Sequence, residues 1–228
     1  MMRIFQIQIA IFATLAVLAF SGCKHGRDGN TASQGVIEYE VTAVDPSNPM
    51  ADLAPNKMLV KFKEKKSVAE MSAGMGLLTM TFVSDYNNKT VTQLVKLLNK
   101  KYASTASAED IQKEKGNSTI VVKKTSGTKM IAGYKCKKAQ VSFTNHSHPD
   151  FDVYYTDEIE LENPNWGNEY SDIDGVLMEY QLKRYNIELR FTARKVEKKH
   201  VEDSDFDRPA DYKTISQKEL EDLFVGMQ

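Results

Sequence analysis

The chain has 228 residues, with 30 Lys and Arg against 31 Asp and Glu and a formal net charge of -1. That balance argues against nucleic acid or an anionic membrane face as an electrostatic partner. The length suits one domain with a real core and is short for two, and no repeat, low-complexity tract or interior linker divides it.

The N-terminus begins with Arg3, continues as the uncharged run from Ile4 to Phe20, and closes on Ser21-Gly22 before Cys23. A positive start, an apolar stretch and a small-residue cleavage site make residues 1–22 a secretory signal. The run includes Gln6, Gln8 and Thr14 and falls short of the ~20 predominantly apolar residues of a spanning helix. No basic stop-transfer cluster follows it, so uncleaved anchoring is the competing reading. A cysteine directly after the cut resembles the lipobox of bacterial lipoproteins, with Phe20 standing where Leu is usual. The resemblance implies diacylation of the Cys23 thiol, removal of the leader and acylation of the new amino terminus. Several acyl chains, at about 0.8 kcal/mol per buried methylene, hold such a protein stably on a membrane. Residues 23–34, polar from Lys24 to Gln34, read as a flexible tether. Lys24 stands where Asp would signal inner-membrane retention, so the resemblance implies the outer membrane, its periplasmic face ahead of the cell surface. With Cys23 taken by lipid, Cys136 has no disulfide partner and reads as a small buried hydrophobe rather than a reactive thiol.

Residues 35–228 form the predicted domain, and alternation dominates it. Ile37, Tyr39, Val41 and Ala43 share one face of Val36 to Val44, with Glu38, Glu40 and Thr42 on the other. Met58, Val60 and Phe62 alternate with Lys61 and Lys63; Ala139, Val141 and Phe143 alternate with Lys138, Gln140 and Ser142; Ile187, Leu189 and Phe191 alternate with Glu188, Arg190 and Thr192. These are half-buried antiparallel strands. Ser67 to Met71, Leu77 to Asp85, Thr90 to Leu98, Thr119 to Lys124, Asp152 to Ile159 and Gly175 to Arg184 fit further strands. Asn87-Asn88, Gly116-Asn117, Ser126-Gly127 and Asp174-Gly175 are expected turns. Gly133 suits either a bend in a continuous strand or a plain turn. Two segments read as helix: the charged stretch after Ser107, and Ser216 to Phe224, where Ser216 and Glu219 form a capping box ahead of the stripe Leu220, Leu223, Phe224. The expected class is mainly β (α+β): a curved antiparallel sheet or half-barrel with one or two helices on its concave face.

The order of Gly35-Val-Ile-Glu-Tyr-Glu-Val, the strand of Met58 and Phe62, Lys129 to Ala139 around Gly133, Asp174-Gly-Val-Leu-Met-Glu-Tyr, then Phe206, Pro209 and Tyr212 before the last helix is similar to uncharacterised envelope lipoproteins of the GLPGLI-type and LolA-like families. LolA-like proteins, LolB and LppX-like proteins among them, are curved antiparallel half-barrels with helices in the hollow, and several carry lipid or acyl chains there. The resemblance implies such a hollow here. Flexible, polarisable Met suits a surface that accepts varied acyl chains. Met58, Phe62, Met71, Met80, Phe82 and Met178 are therefore the expected ligand-lining residues, against the competing reading that they pack an ordinary core.

Catalytic signals are absent from the sequence. There is no nucleophile elbow, phosphate-cradling glycine loop or His-Glu-x-x-His, and nothing couples Ser, His and Asp into a triad. His146, His148 and Asp150 have zinc-ligand chemistry but lie in a turn-rich loop that reads as a polar hairpin. Asp203, Asp205 and Asp207 lack the Gly and terminal Glu of a calcium loop; Phe206 to Tyr212 reads as a segment pinned to the sheet by its two aromatics. Trp166 reads as a cap on one end of the core. No enzyme, cofactor or metal is expected. The expected function is hydrophobic-ligand binding, the alternative a structural or interaction module docking to envelope proteins through a self-filled domain.

Overall fold

Short turns join most of the alternating segments, so most strands pair antiparallel with the next in sequence. The computed structural model describes residues 33–116, 120–144, 149–184 and 187–225. Its strands are β1 (Gln34–Ala43), β2 (Lys57–Lys63), β3 (Lys66–Ala73), β4 (Leu78–Asp85), β5 (Thr90–Leu97), β6 (Lys100–Ala106), β7 (Ile120–Ile131), β8 (Tyr134–Phe143), β9 (Phe151–Thr156), β10 (Val176–Arg184), β11 (Ile187–Glu197) and β12 (Lys213–Thr214). The helices are α1 (Ala108–Gly116) and α2 (Gln217–Val225). All these strands form one 12-stranded sheet in the order β12-β6-β5-β4-β3-β2-β1-β11-β10-β9-β8-β7. Among the described residues only the β12–β6 pair is parallel. The fold is mainly β, one large curved open sheet with two helices.

Curvature comes from bulges in one half of the sheet. The register slips between Glu38 and Tyr39 against β11, between Leu177 and Glu179 against β9, and between Lys124 and Thr128 against β8. Each extra residue bends its strand and increases the local twist. Ser126-Gly127, expected as a turn, therefore belongs to a bulge inside β7, with Gly127 at φ 130°. The reversal comes later, at Ala132 (φ 49°) and Gly133 (φ 84°), between the paired Ile131 and Tyr134. A two-residue hairpin with both φ values positive matches the right-handed twist of its strands. Of the two readings of Gly133, the plain turn is the one observed. β6 is a strand the sequence did not suggest: Tyr102, Ser104 and Ala106 alternate with Lys101, Ala103 and Thr105, a pattern with little hydrophobic contrast.

The sheet is covered on one face and on part of the other. On one face lies the main core, built from β1, β2 and β8–β11 around Phe62, Phe191, Ile37 and Met178. Tyr39 anchors it, donating from its hydroxyl to the Leu177 carbonyl at 2.7 Å while meeting the Tyr180 ring edge-on at 6.0 Å. α2 covers the same face farther along, seating Leu220 and Phe224 on Val95. Over β3 to β6 the opposite face is covered by residues 201–212, whose Val201, Phe206 and Tyr212 pack on Val68, Val83, Leu94 and Ala103. Phe206 and Tyr212 are the aromatics expected to pin this segment.

Candidate functional site

Directly paired residues in an antiparallel ladder share a face, so register alone decides which predicted residues meet. Tyr39, Met58, Met71, Met80, Val95 and Tyr102 form one row across β1 to β6. Ile37, Val60, Ala69, Phe82 and Gln93 form the next row, and Gly35, Phe62, Ser67, Ser84 and Val91 the one below. Met58, Phe62, Met71, Met80 and Phe82 thus project from the same face. Met178, from β10, joins Met58 and Phe62 in the main core.

Burial divides the six. Phe62 and Met178 are 0% exposed and Met58 is 4%; these three are sealed by other side chains. Met71, Met80 and Phe82 are half-buried. Met71 leans on the main core and Met80 on the α2 cluster, and Phe82 lies beside both in the lattice of the sheet. The strip between the two clusters is uncharged: no Asp, Glu, Lys or Arg occurs between Glu70 and Asp85. Its chemistry is that of an apolar surface with the hydroxyls of Ser67 and Ser84 and the Gln93 amide at one end.

That end is closed by residues 157–175. Trp166 is half-buried; its indole donates to the Ser84 hydroxyl at 2.9 Å and meets Tyr86 edge-on at 6.1 Å, and its carbonyl accepts from the Lys115 ammonium of α1. Asn165, 4% exposed, donates its amide to the carbonyls of Ile173 and Gly175, both at 2.8 Å. Tyr170, 1% exposed, donates to the Gln181 carbonyl. Trp166 and α1 together fix the lower boundary of the strip.

Elsewhere among the described residues, Cys136 and the acids of residues 203–205 stand out. Cys136 is fully buried and burial pushes its thiol up to about 11. The Asp203 and Asp205 carboxylates accept from Lys63 (2.7 Å) and Lys61, holding the 3-10 turn Asp203–Phe206 against β2; those bonds lower both carboxyls. One feature escaped the sequence. A polar cleft of about 470 Å³ lies between the β7–β8 hairpin and the outer side of β1, β10 and β11, lined by Glu40, Lys129, Glu179, Arg190 and Arg194 among others. Its charges pair across it, Lys129 with Glu179 at 2.6 Å and Arg194 with Glu40. Its lining comes from four strands spread over the chain, so no local motif announces it. Among the described residues no group of three or more His, Cys, Asp or Glu is arranged to hold a metal ion, and no helix is long and apolar enough to cross a membrane. The expected signal segment, Cys23 and the other residues before Ser33, and both His146 and His148, lie outside the described residues.

No protein-family model and no curated protein matches this chain.

Proposed function

We propose that the protein is a lipoprotein anchored through Cys23 at the periplasmic face of a bacterial outer membrane, and that its domain binds a hydrophobic ligand, a lipid or acyl chain, on the face carrying Met71, Met80 and Phe82. The observation that supports this is the uncharged, half-buried strip these residues form between two separate apolar clusters of one curved face. An acyl chain laid along it gains about 0.8 kcal/mol for each methylene removed from water. Two thioethers and a phenyl ring offer a surface that adapts to chains of different shape. Such binding uses no catalytic residue.

The second reading is an interaction module with a self-filled core, and it is favoured by Met58, Phe62 and Met178, which the domain's own side chains already cover. Native mass spectrometry on the full-length protein purified from a bacterial envelope, with organic extraction of what stays bound, separates the two. The ligand-binding reading expects a stoichiometric lipid that disappears with Met80→Asp. A clean apo mass, unchanged by incubation with phospholipid and fatty acid, overturns it in favour of the module.

A further inference from the structure

Exposed apolar side chains gather at one end of the sheet. Seven large hydrophobics are exposed among the described residues, and five of them, Val44, Met50, Met75, Leu77 and Leu98, lie in the loops joining β1 to β2, β3 to β4 and β5 to β6. Register puts these three loops at the same end, because Ala43, Ala73, Leu78, Leu97 and Lys100 all terminate their ladders there. The Leu98 amide donates to the Leu77 carbonyl at 2.8 Å, tying two of the tips together.

Backbone conformation makes the exposure harder to explain as chance. Met75 sits at φ 55° between Gly74 (φ 54°) and Gly76 (φ 87°), and its side chain is fully exposed at 103%. Leu98, 61% exposed, sits at φ 54° in a tight hairpin where Gly, Asn or Asp is the ordinary choice. Left-handed backbone is costly for a bulky side chain. Two such residues are held in strained positions only to meet water, which points to a partner outside the molecule.

The charges beside the tips identify its chemistry. Lys96 and Lys100 flank Leu97-Leu98 and are exposed; Lys101 behind them is paired with Asp211, and the acids of this end, Asp45 and Asp52, lie in the separate β1–β2 loop. Aliphatic tips with lysines just behind them match a bilayer, whose acyl region lies beneath anionic headgroups. We infer that the β3–β4 and β5–β6 tips insert Met75, Leu77 and Leu98 into the surface of an anionic bilayer, with Lys96 and Lys100 on the headgroups. This contact is distinct from the lipid on Cys23 and needs no ligand in the strip around Met80.

The test reads depth at the tip itself. Full-length protein carrying Cys23→Ser is labelled with an environment-sensitive fluorophore at Met75→Cys, or at Asn87→Cys in the exposed turn at the opposite end; Cys136, fully buried, stays unlabelled. Vesicles of equimolar phosphatidylglycerol and phosphatidylcholine are added, with and without an acyl-chain quencher. The expected result is a blue shift and quenching at position 75, none at 87. Leu98→Asn, which relieves the strained backbone, should leave the urea midpoint unchanged or raised yet weaken partition about tenfold. Lys96→Glu with Lys100→Glu should weaken partition on these vesicles and leave it unaltered on pure phosphatidylcholine. No spectral change at 75, or equal changes at 75 and 87, overturns the inference.

Discussion

Asn165 is a buried amide whose two donations fasten the segment around it to the carbonyls of Ile173 and Gly175. Asn165→Ala leaves two carbonyls unpaired in the interior and is expected to cost about 2 kcal/mol in urea unfolding, with faster hydrogen exchange in residues 157–175. Phe62→Ala empties a fully sealed site and should cost about 4 kcal/mol, whereas Phe82→Ala, half-buried, should cost less than half of that. The contrast marks what could be read in advance. Alternation put Met58 and Phe62 on one face of their strand, because strand parity is local, but that Met71, Met80 and Phe82 share that face follows only from the register. Alternation could not say which of them are sealed, because the covering side chains arrive from β10, β11 and α2, far along the chain. Cys136 behaves by a similar logic. Its folded pKa of about 11 lies above the ordinary 9.0, so between those values the unfolded chain has released a proton that the folded one keeps. Stability should therefore fall as pH rises from about 9 to 11, and urea midpoints for Cys136→Ala should fall less over the first unit of that range, before the buried tyrosines add their own decline.

At the scale of elements, α2 is nine residues long, too short to persist without its contacts. Ser216 caps it as the sequence indicated: its hydroxyl accepts from the Glu219 amide at 3.2 Å, and the Glu219 carboxylate accepts from the Ser216 amide at 2.8 Å. Ser216→Ala should cost about 1 kcal/mol and raise amide exchange in α2 while β1 and β11 stay protected. The segment over the opposite face depends more on charge. The Asp203 and Asp205 carboxyls lie below their ordinary 3.8, so the unfolded chain takes up protons first as pH falls. Their contribution is present above about pH 4 and lost below it, and proteolysis between residues 198 and 212 should accelerate first in acid. Capping boxes and pinned aromatics are legible because each signal spans a few residues. β6 and the bulge at Lys124 to Thr128 were not, since a strand of Lys, Ala, Ser and Thr has no hydrophobic rhythm and a bulge is defined only by the strand opposite.

For the whole molecule, the last stretch of the chain decides how the sheet is finished. After β11 it crosses one face through Val201 and Phe206, hydrogen-bonds β6 through β12, and returns on the other face as α2. One margin of the sheet is thereby wrapped on three sides. Truncation after Glu197 should expose Val68, Val83 and Leu94 together with the bare β6 edge, giving a protein that binds an apolar dye and sediments as aggregates. The near-zero total charge conceals a local arrangement of the same kind, since lysines gather beside Leu98 while acids crowd residues 157–174. β1 enters the sheet at Gln34, beside Lys63, at the end remote from Met75. A fully extended stretch from Cys23 to Ser33 reaches roughly 35 Å, and a strand the length of β1 spans about 33 Å. If Cys23 carries lipid as proposed, stretch and body would be nearly equal in length, so the domain would have just enough line to turn over and set its apolar tips on the same membrane. Cutting five residues from that stretch should then keep the tips out of reach while leaving Cys23 in place.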